Sequence, residues 1–269
     1  MAINEFLNLD LKGRTALVCG GSAGIGEASA RALASLGARV ILCARSEEKL
    51  QQVLKTLPAV SGGEHRMLAL DLADQASVRA KVTAEISACG GAIEILVNNS
   101  AGPKGGPILE ARAEEFTAAF SQHLVTGQLL VQLMVPGMKQ KNFGRIVNII
   151  STSVRVPIPG LGVSNTIRAA VASWAKTLSL ELAPFGITVN SVLPGYTKTD
   201  RLTSLLKAAS EKTGKTVEQV SDEWKASTPA RRFGEPEELG AAVAFLASPA
   251  AGYITGVVLP VDGGRLGTI

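Results

Sequence analysis

Near its start the sequence places three glycines, Gly20, Gly24 and Gly26, at the spacing Gly-x-x-x-Gly-x-Gly. An apolar run typical of a buried strand, residues 14–19, precedes them, and a helical pattern up to residue 36 follows. Glycine lets the backbone approach a ligand closely, and the free amide groups at a helix start attract anions. The arrangement favours a phosphate-binding turn over a plain glycine-rich turn, and a dinucleotide is the usual ligand of such a turn.

A second set of reactive side chains lies in the middle of the sequence. Ser151 follows the apolar run 145–150, and Ser164 and Arg168 lie four residues apart in a helical pattern over about residues 163–183. Because helical positions i and i+4 share one face, the hydroxyl and the guanidinium could meet. Both groups can bind oxygen atoms of a ligand. A guanidinium stays charged and a serine hydroxyl is a very weak acid, so neither is an ordinary general acid.

Side chains that release a proton more readily are scarce, since the chain has two histidines and two tyrosines. His123 lies in a long helical pattern, and it could donate a proton directly or through water if its ring faces a cleft. The alternative is a structural histidine bonded to backbone. Tyr196 follows Pro194-Gly195 and is either a proton donor or an aromatic wall of a pocket. With so few histidines and no cysteine cluster, we expect no metal site.

The composition limits the class of protein. The 269 residues are 46% hydrophobic and 19% charged, with a net charge of +4 and a mean hydropathy of +0.24. Basic residues are scattered, so we expect no nucleic-acid partner. No apolar run is long enough to span a membrane, and residues 1–11 do not resemble a signal peptide. The three cysteines lack Cys-x-x-Cys spacing, which indicates reduced thiols and a cytoplasmic protein.

Apolar runs alternate with helical patterns along the whole chain. This alternation predicts an α/β fold, a doubly wound parallel sheet of about seven strands with helices on both faces. No linker is visible, so residues 1–269 are predicted to form one domain. A long helix over residues 113–138 is expected to bend or break near Pro136-Gly137. The predicted strands cover residues 14–19, 39–43, 67–70, 93–97, 145–150, 188–192 and 257–261.

Five segments together point to one protein family. Residues 19–26, Cys-Gly-Gly-Ser-Ala-Gly-Ile-Gly, correspond to a Thr-Gly-x-x-x-Gly-Ile-Gly element in which Cys19 replaces threonine. Residues 98–102 correspond to Asn-Asn-Ala-Gly with an extra small residue, and residues 194–199 to Pro-Gly-x-x-x-Thr. With the C-terminal segments 232–238 and 253–264, the sequence resembles the short-chain dehydrogenase/reductase family. The resemblance extends from about residue 11 to residue 264 and is greatest to the β-ketoacyl carrier-protein reductase-like branch.

This resemblance implies a single-domain Rossmann-type fold that binds a nicotinamide nucleotide. Asp71 matches the acidic residue that contacts the adenine amino group in the family. The residues that the resemblance implies for cofactor binding are Gly20, Ser22, Ala23, Gly24, Ile25, Gly26, Arg45, Asp71, Leu72, Asn99, Ser100, Ala101, Arg168, Pro194, Gly195, Thr197 and Thr199.

The end of the second strand favours NADP(H) over NAD(H). An NAD site has an acidic residue at this point that accepts a hydrogen bond from the ribose 2′-hydroxyl. Residues 42–46 read Leu-Cys-Ala-Arg-Ser and contain no acid. A guanidinium pairs well with a phosphate, so Arg45, with help from Ser22, is expected to bind the 2′-phosphate. In the alternative interpretation Arg45 is a solvated residue at the start of a helix, and NAD(H) remains possible.

The sequence departs from the family where the family's catalytic side chains lie. Ser151 matches the catalytic serine, but counting onward puts Ser164 at the tyrosine position and Arg168 at the lysine position. In the family the tyrosine donates the proton and the lysine lowers its pKa. His123 stands where the family has an asparagine. Arg168 could still hold ribose hydroxyls, whereas the proton has to come from His123, Tyr196, water or no source at all.

Three functions remain open at this point. The first is an NADP(H)-dependent carbonyl reductase or alcohol dehydrogenase, 3-oxoacyl reductase-like, with a divergent active site. The second is a nucleotide-binding pseudoenzyme, or a regulatory subunit of an oligomer. The third is a different reaction, such as dehydration or double-bond reduction. By resemblance, residues 199–231 form a lid over a small-molecule substrate, and the protein is a homo-oligomer, expected to be a tetramer.

Overall fold

One parallel sheet forms the centre of the molecule. The computed structural model describes residues 7–61 and 63–268; residues 1–6, which belong to the segment expected not to be a signal peptide, lie outside the described residues. The strands are β1 (Thr15–Cys19), β2 (Arg39–Ala44), β3 (Arg66–Ala69), β4 (Ile95–Asn98), β5 (Gly144–Ile149), β6 (Ile187–Pro194) and β7 (Val258–Val261). Their order is β3-β2-β1-β4-β5-β6-β7, with every pair parallel.

Helices cover both faces of the sheet, because each parallel connection has to cross back over it. They are α1 (Gly24–Ser35), α2 (Glu47–Lys55), α3 (Gln75–Ala88), α4 (Ala113–Phe120), α5 (Thr126–Gln140), α6 (Gly162–Leu182), α7 (Asp200–Thr213), α8 (Val217–Ala226) and α9 (Pro236–Ala247). Buried side chains of α1, α2 and α9 form the core on one face, and those of α3, α5 and α6 form the core on the other. The predicted doubly wound α/β fold is confirmed. Among the described helices, none has both the length and the apolar character needed to cross a membrane.

The predicted interruption near Pro136-Gly137 is wrong, since α5 continues through Pro136 to Gln140. Proline lacks the amide hydrogen that would bond to the carbonyl of Gln132. Both Gln132 and Pro136 are exposed, so water can satisfy that carbonyl and the helix tolerates the proline.

The irregular turn lies eleven residues earlier than Pro136. Residues Ser121–Val125 form a π-helical turn that joins α4 to α5 in one continuous segment. The hydroxyl of Thr126 donates to the carbonyl oxygens of Ser121 and Leu72 at 3.1 and 2.8 Å, which stabilises the widened turn. Such π turns occur often at functional sites. This one carries His123 and turns it into the interior.

Helix α9 was not predicted, although its start has clear signals. Pro236 occupies the first helical turn, where its missing amide hydrogen costs nothing. The side chain of Glu238 accepts from the backbone amide of Glu235 at 2.8 Å. A Cβ on Gly240 would lie 2.6 Å from the carbonyl oxygen of Ala28, so glycine is required for the close packing of α9 on α1.

The segment interpreted as a lid forms α7 and α8. Leu202, Leu206, Val220 and Phe233 are buried together, with Tyr196 and Trp224 packed against them. This small cluster is separate from the two main cores. It gives residues 199–231 their own packing, while the lid function stays a prediction.

Candidate active site

The carboxyl ends of the strands define where a ligand can bind. The chain runs outward from β1 through β2 to β3, then returns to β4 and continues through β7 on the other side. In doubly wound sheets a crevice opens at this reversal, between β1 and β4. The loops after β1, β4, β5 and β6 therefore meet at one edge of the sheet, and most of the predicted site residues lie in them.

The turn between β1 and α1 has the geometry of a phosphate-binding turn. Gly20 and Gly24 have φ angles of +63° and +55°, a region that glycine adopts readily. A Cβ on Gly26 would lie 2.1 Å from the carbonyl oxygen of Gly20, so a larger residue does not fit. A Cβ on Gly24 would lie 3.1 Å from the Thr199 methyl group, so residue 199 packs over the turn.

The predicted adenosine-side residues lie on neighbouring strand ends. Cys19 and Cys43 are paired in register on β1 and β2, and Arg45 is exposed directly after β2. Ser22, half-buried, lies in the turn after β1. Asp71 is exposed just after β3, where one carboxylate oxygen accepts from the backbone amide of Ala73 at 2.9 Å. These positions agree with a nucleotide that lies across the ends of β1, β2 and β3.

Asparagines join the ends of the central strands. Asn98 and Asn148 are in register on β4 and β5, and the amide of Asn98 donates to the Oδ1 atom of Asn148 at 2.9 Å. Asn190 on β6 donates to the carbonyl oxygen of Ile254 at 2.8 Å and accepts from the amide of Val257 at 3.2 Å. The bond between Asn98 and Asn148 lies at the carboxyl ends of β4 and β5, where site loops begin, and the two bonds of Asn190 hold the segment before β7 against β6.

A small polar cavity lies beside these strand ends. His123 is buried there, and its Nδ1 atom is 2.6 Å from the hydroxyl of Ser100. Its Nε2 atom is buried and has no hydrogen-bond partner within residues 7–61 and 63–268. Burial, together with the nearby Arg168 cation, lowers the pKa of His123 to about 3. The ring is therefore neutral at physiological pH. Its hydrogen-bond partner is the side chain of Ser100 and not the backbone, which a purely structural histidine was expected to contact.

The same cavity is lined by Arg168, which bridges two strand ends. Its guanidinium donates to the carbonyl oxygens of Ile149 and Ser100 at 2.8 and 3.3 Å. Burial, with a contribution from the Arg201 cation, lowers the pKa of Arg168 to about 10, so it remains protonated at neutral pH. Ser164 is buried one helical turn earlier on α6.

Ser151 lies just beyond β5, next to the Ile149 carbonyl that Arg168 binds. Its hydroxyl accepts from the backbone amide of Ser153 at 3.0 Å and caps a short 3-10 turn. The hydroxyl proton remains available to a ligand, because accepting a hydrogen bond does not use it.

The loop after β6 brings Pro194 and Gly195 to the same edge, but it turns Tyr196 elsewhere. The Tyr196 ring stacks on Trp224 with a centroid distance of 4.6 Å, and its hydroxyl accepts from Arg265 at 3.0 Å. Tyr196 does not line the cavity of His123 and Arg168, and neither do Ser151 and Ser164. Its stacking places the phenol in an aromatic cluster with Trp224 and Phe233.

The remaining predicted cofactor residues lie around the same crevice. Thr197 is buried and donates to the carbonyl oxygen of Gly195 at 3.2 Å, and Thr199 caps α7 by accepting from the amide of Leu202. Leu72 and Asn99 line the cavity. Ala23 and Ala101 are exposed, and Ile25 is half-buried and packs against the core on the α1 face.

Sequence reasoning did not select several polar residues of this region. Asn98, Asn148 and Gln122 line the cavity, and exposed Arg201 on α7 approaches Arg168 beside Gly102. The asparagines had a usable signal, because each is a polar residue in an otherwise apolar strand. Arg201 had none within its own segment, since its contact depends on how α7 packs against the loop after β4.

Comparison of the sequence with known protein families agrees with this geometry. A family model described as Enoyl-(Acyl carrier protein) reductase matches residues 20–265. The chain belongs to the short-chain dehydrogenase/reductase family. The 3-oxoacyl-[acyl-carrier-protein] reductase of Vibrio cholerae is 36% identical over 95% of this chain and 98% of its own length. The NADPH-dependent reductase BacG of Bacillus subtilis is 32% identical over 95% of this chain and 99% of its own.

Solved structures lead to the same family. The crystal structure of L-sorbose reductase from Gluconobacter frateurii, complexed with NADPH and L-sorbose, superimposes with a TM-score of 0.90. The match has 29% sequence identity and covers 98% of this chain and all of the other. As a short-chain dehydrogenase/reductase, the chain is in general an NAD(P)-dependent oxidoreductase of carbonyl or alcohol groups.

Proposed function

We propose that this protein is an NADP(H)-dependent reductase of a carbonyl compound, 3-oxoacyl reductase-like, with a divergent active site. In this proposal Ser164 and Arg168 occupy the positions where the family has tyrosine and lysine. The observation that carries it is the position of Arg168. The buried guanidinium binds the ends of β4 and β5 through Ser100 and Ile149, one helical turn from the Ser164 hydroxyl.

The residues present fit a bound NADP(H). The backbone of the glycine turn packs too closely to accept a Cβ at Gly20 or Gly26, and the start of α1 supplies backbone amides that suit a pyrophosphate. Exposed Arg45 follows β2 with no acidic residue at the strand end, which suits a 2′-phosphate. NADPH supplies a hydride when bound. BacG is an NADPH-dependent reductase and the L-sorbose reductase structure contains NADPH, which supports the choice of NADP(H) over NAD(H).

The chain's own residues then bind and polarise the substrate. Hydroxyls of Ser151 and Ser164 donate hydrogen bonds to the carbonyl oxygen, and the Arg168 cation favours the negative charge that develops there. Neutral His123 is a poor proton source, because its pKa is about 3. We therefore assign the proton to a water molecule bonded to the two serine hydroxyls. A hydroxyl passes its proton to the substrate oxygen and takes one from this water, and the hydroxide that remains is reprotonated by solvent. Such a site works without a phenol, but slowly.

The alternative is a catalytically impaired nucleotide-binding protein, acting as a sensor or as a regulatory subunit. Both proposals include bound nucleotide and differ only in turnover. The experiment is to follow NADPH oxidation by the wild-type protein with 3-oxoacyl thioesters, ketones, quinones and enoyl thioesters. We expect slow reduction of keto compounds, and about 100-fold faster reduction by the Ser164→Tyr/Arg168→Lys double variant, since a positioned general acid contributes roughly that factor.

The other results of the NADPH oxidation assay distinguish the remaining functions. A protein that binds NADPH but reduces none of these compounds, while the double variant does, is a pseudoenzyme. Reduction of enoyl thioesters alone means double-bond reduction. The Ser151→Ala change, made in both backgrounds, is the control. It lowers turnover in both if Ser151 binds the carbonyl oxygen.

We also propose a cytoplasmic homo-oligomer, with a tetramer as the expected state. Exposed apolar side chains on helices support an oligomer, among them Leu180 on α6 and Phe245 on α9, whose exposed fractions are 68% and 41%. Light scattering of the purified protein measures the number of subunits.

A further inference from the structure

Two arginines approach one point on the loop after β4. A Cβ built on Gly102 would lie 3.8 Å from an Nη atom of Arg201 and 3.9 Å from an Nη atom of Arg168. Arg168 reaches this point from α6 and Arg201 from the first turn of α7. The second arginine is fixed there by a hydrogen bond of 3.2 Å to the carbonyl oxygen of Pro103.

No acidic residue neutralises this pair within residues 7–61 and 63–268. Neither arginine takes part in an ion pair there, and their side chains bond only to carbonyl oxygens. Burial and the Arg201 cation both disfavour the charged form of Arg168. Arg168 is buried without a counter-charge and Arg201 is exposed beside it, so the pair favours an anionic ligand.

The loops around the pair carry more basic than acidic residues. Residues 99–112, 150–161 and 195–199 follow β4, β5 and β6, and they contain Lys104, Arg112, Arg155 and Lys198 against one acid, Glu110. Arg112 and Lys198 pair with glutamates, and Asp200 follows at the start of α7. The three loops keep a net positive charge, which favours anions at the mouth of the crevice.

We propose that Arg201 binds a carboxylate of the substrate, so that the protein reduces oxo acids in preference to neutral ketones. This inference rests on the proposed function and adds the substrate class. A carboxylate fits a guanidinium because both are planar and can form two parallel hydrogen bonds. The bond to Pro103 uses one of the five N–H donors of Arg201, which leaves the others for the ligand.

The phosphates of the cofactor are the other source of negative charge near this site. The backbone amides of the glycine turn already suit the pyrophosphate, and Thr199 is the residue that packs over Gly24. Arg201 lies instead against Gly102 and Pro103 on the β4 loop, beside the buried Arg168. Its place thus favours the substrate over the cofactor, and the experiment separates the two.

The test compares 2-oxo, 3-oxo and 4-oxo acids with their methyl esters, which differ in the negative charge. For the wild-type protein we expect kcat/KM for the preferred acid to exceed that of its ester about tenfold or more, as for a charge-assisted hydrogen bond. The Arg201→Gln variant lowers this acid-to-ester ratio at least about tenfold. Lys207→Gln removes the same charge from another exposed position on α7 and keeps the ratio.

Two further measurements make the result decisive. If Arg201→Gln weakens NADPH binding as strongly as it weakens acid turnover, Arg201 binds the cofactor and the inference is overturned. An acid-to-ester ratio near one in the wild-type protein also overturns it. If no compound is reduced, the proposed function fails. Calorimetric titration of the matching hydroxy acids into the NADP⁺ complex then still tests the carboxylate site, through weaker binding by Arg201→Gln than by Lys207→Gln.

Discussion

The glycine turn over residues 20–26 and the start of α6 over residues 162–168 serve the same edge of the sheet by different physical means. In the glycine turn the requirement is on the backbone, because a Cβ on Gly26 would overlap the carbonyl oxygen of Gly20. At the start of α6 the function depends on the side chains. The helix backbone places residues 164 and 168 at the same points whichever side chains they carry. The first region therefore allows almost no substitution, while the second can keep its fold and change its reaction.

The burial of charge also separates the two regions. The glycine turn presents amide groups and needs no buried ionised side chain. The start of α6 buries Arg168 against two carbonyl oxygens and beside the neutral ring of His123. Burying a cation without an ionic partner costs stability, and such groups are frequent at functional sites. The contrast indicates that the α6 region is kept for binding or catalysis and not for stability.

The largest expected effect comes from breaking the backbone requirement with Gly26→Ala. The added Cβ would lie 2.1 Å from the Gly20 oxygen, so the turn has to move. We expect NADPH binding to weaken by at least about 100-fold and the free energy of unfolding to fall by about 3 kcal/mol. Fluorescence titration with NADPH and urea unfolding measure the two effects.

Gly106→Ala is the matched control, since a Cβ there meets no atom within 4 Å. It should leave both quantities close to wild type. If Gly26→Ala binds NADPH normally, the turn is not the phosphate site, and the difference between the two regions would have to be explained in another way.

A smaller effect concerns the buried histidine beside α6. The unfolded chain takes up a proton at His123 near pH 6.5, whereas burial lowers the folded pKa to about 3. Folding then opposes protonation between these values. The stability due to neutral His123 is complete above pH 6.5 and is lost as pH falls toward 3, by up to about 1.4 kcal/mol per pH unit.

Urea unfolding at pH 7.5, 6.5, 5.5 and 4.5 measures this loss by comparing wild type with His123→Asn. The other titrating groups are shared, so their contributions cancel in the difference. We expect a constant difference above pH 6.5 and a growing relative stability of the variant below it. Parallel curves throughout would mean that His123 is solvated and free to act as an acid, contrary to its burial.

The fold could be predicted closely because its signals are local. Apolar runs bounded by glycine and polar residues identify the strands, and the sterics of the glycine turn leave little choice at Gly20, Gly24 and Gly26. The π turn was missed because it depends on Thr126 bonding to Leu72, 54 residues away in sequence. Helix α9 was overlooked although its capping residues were present in the sequence.

The site was predicted less completely, because its key contacts join distant elements. The serine hydroxyl beside His123 comes from residue 100, in the loop after β4, and the sequence gives no sign of that partner. Arg201 meets Arg168 only because α7 folds back over the β4 loop. Side-chain contacts of this kind follow from packing, so they were accessible only once the structure was known.

The smallest expected effect comes from Tyr196→Phe. This change tests whether the tyrosine of the loop after β6 donates the proton at the site beside α6. The ring would keep its stacking on Trp224 and its edge contact with Phe233. Only the hydrogen bond from Arg265 to the hydroxyl would be lost, at a cost of about 1 kcal/mol or less.

We expect kcat/KM to stay within about twofold of wild type, because the hydroxyl is engaged by Arg265 and the ring lies in the aromatic cluster, outside the cavity of His123 and Arg168. A loss of about 100-fold with unchanged unfolding would instead make Tyr196 the general acid. The reaction would then use a phenol after all, supplied by the loop after β6. The glycine turn and the start of α6 would still differ in how they tolerate substitution, but the site would keep the phenol chemistry of the family.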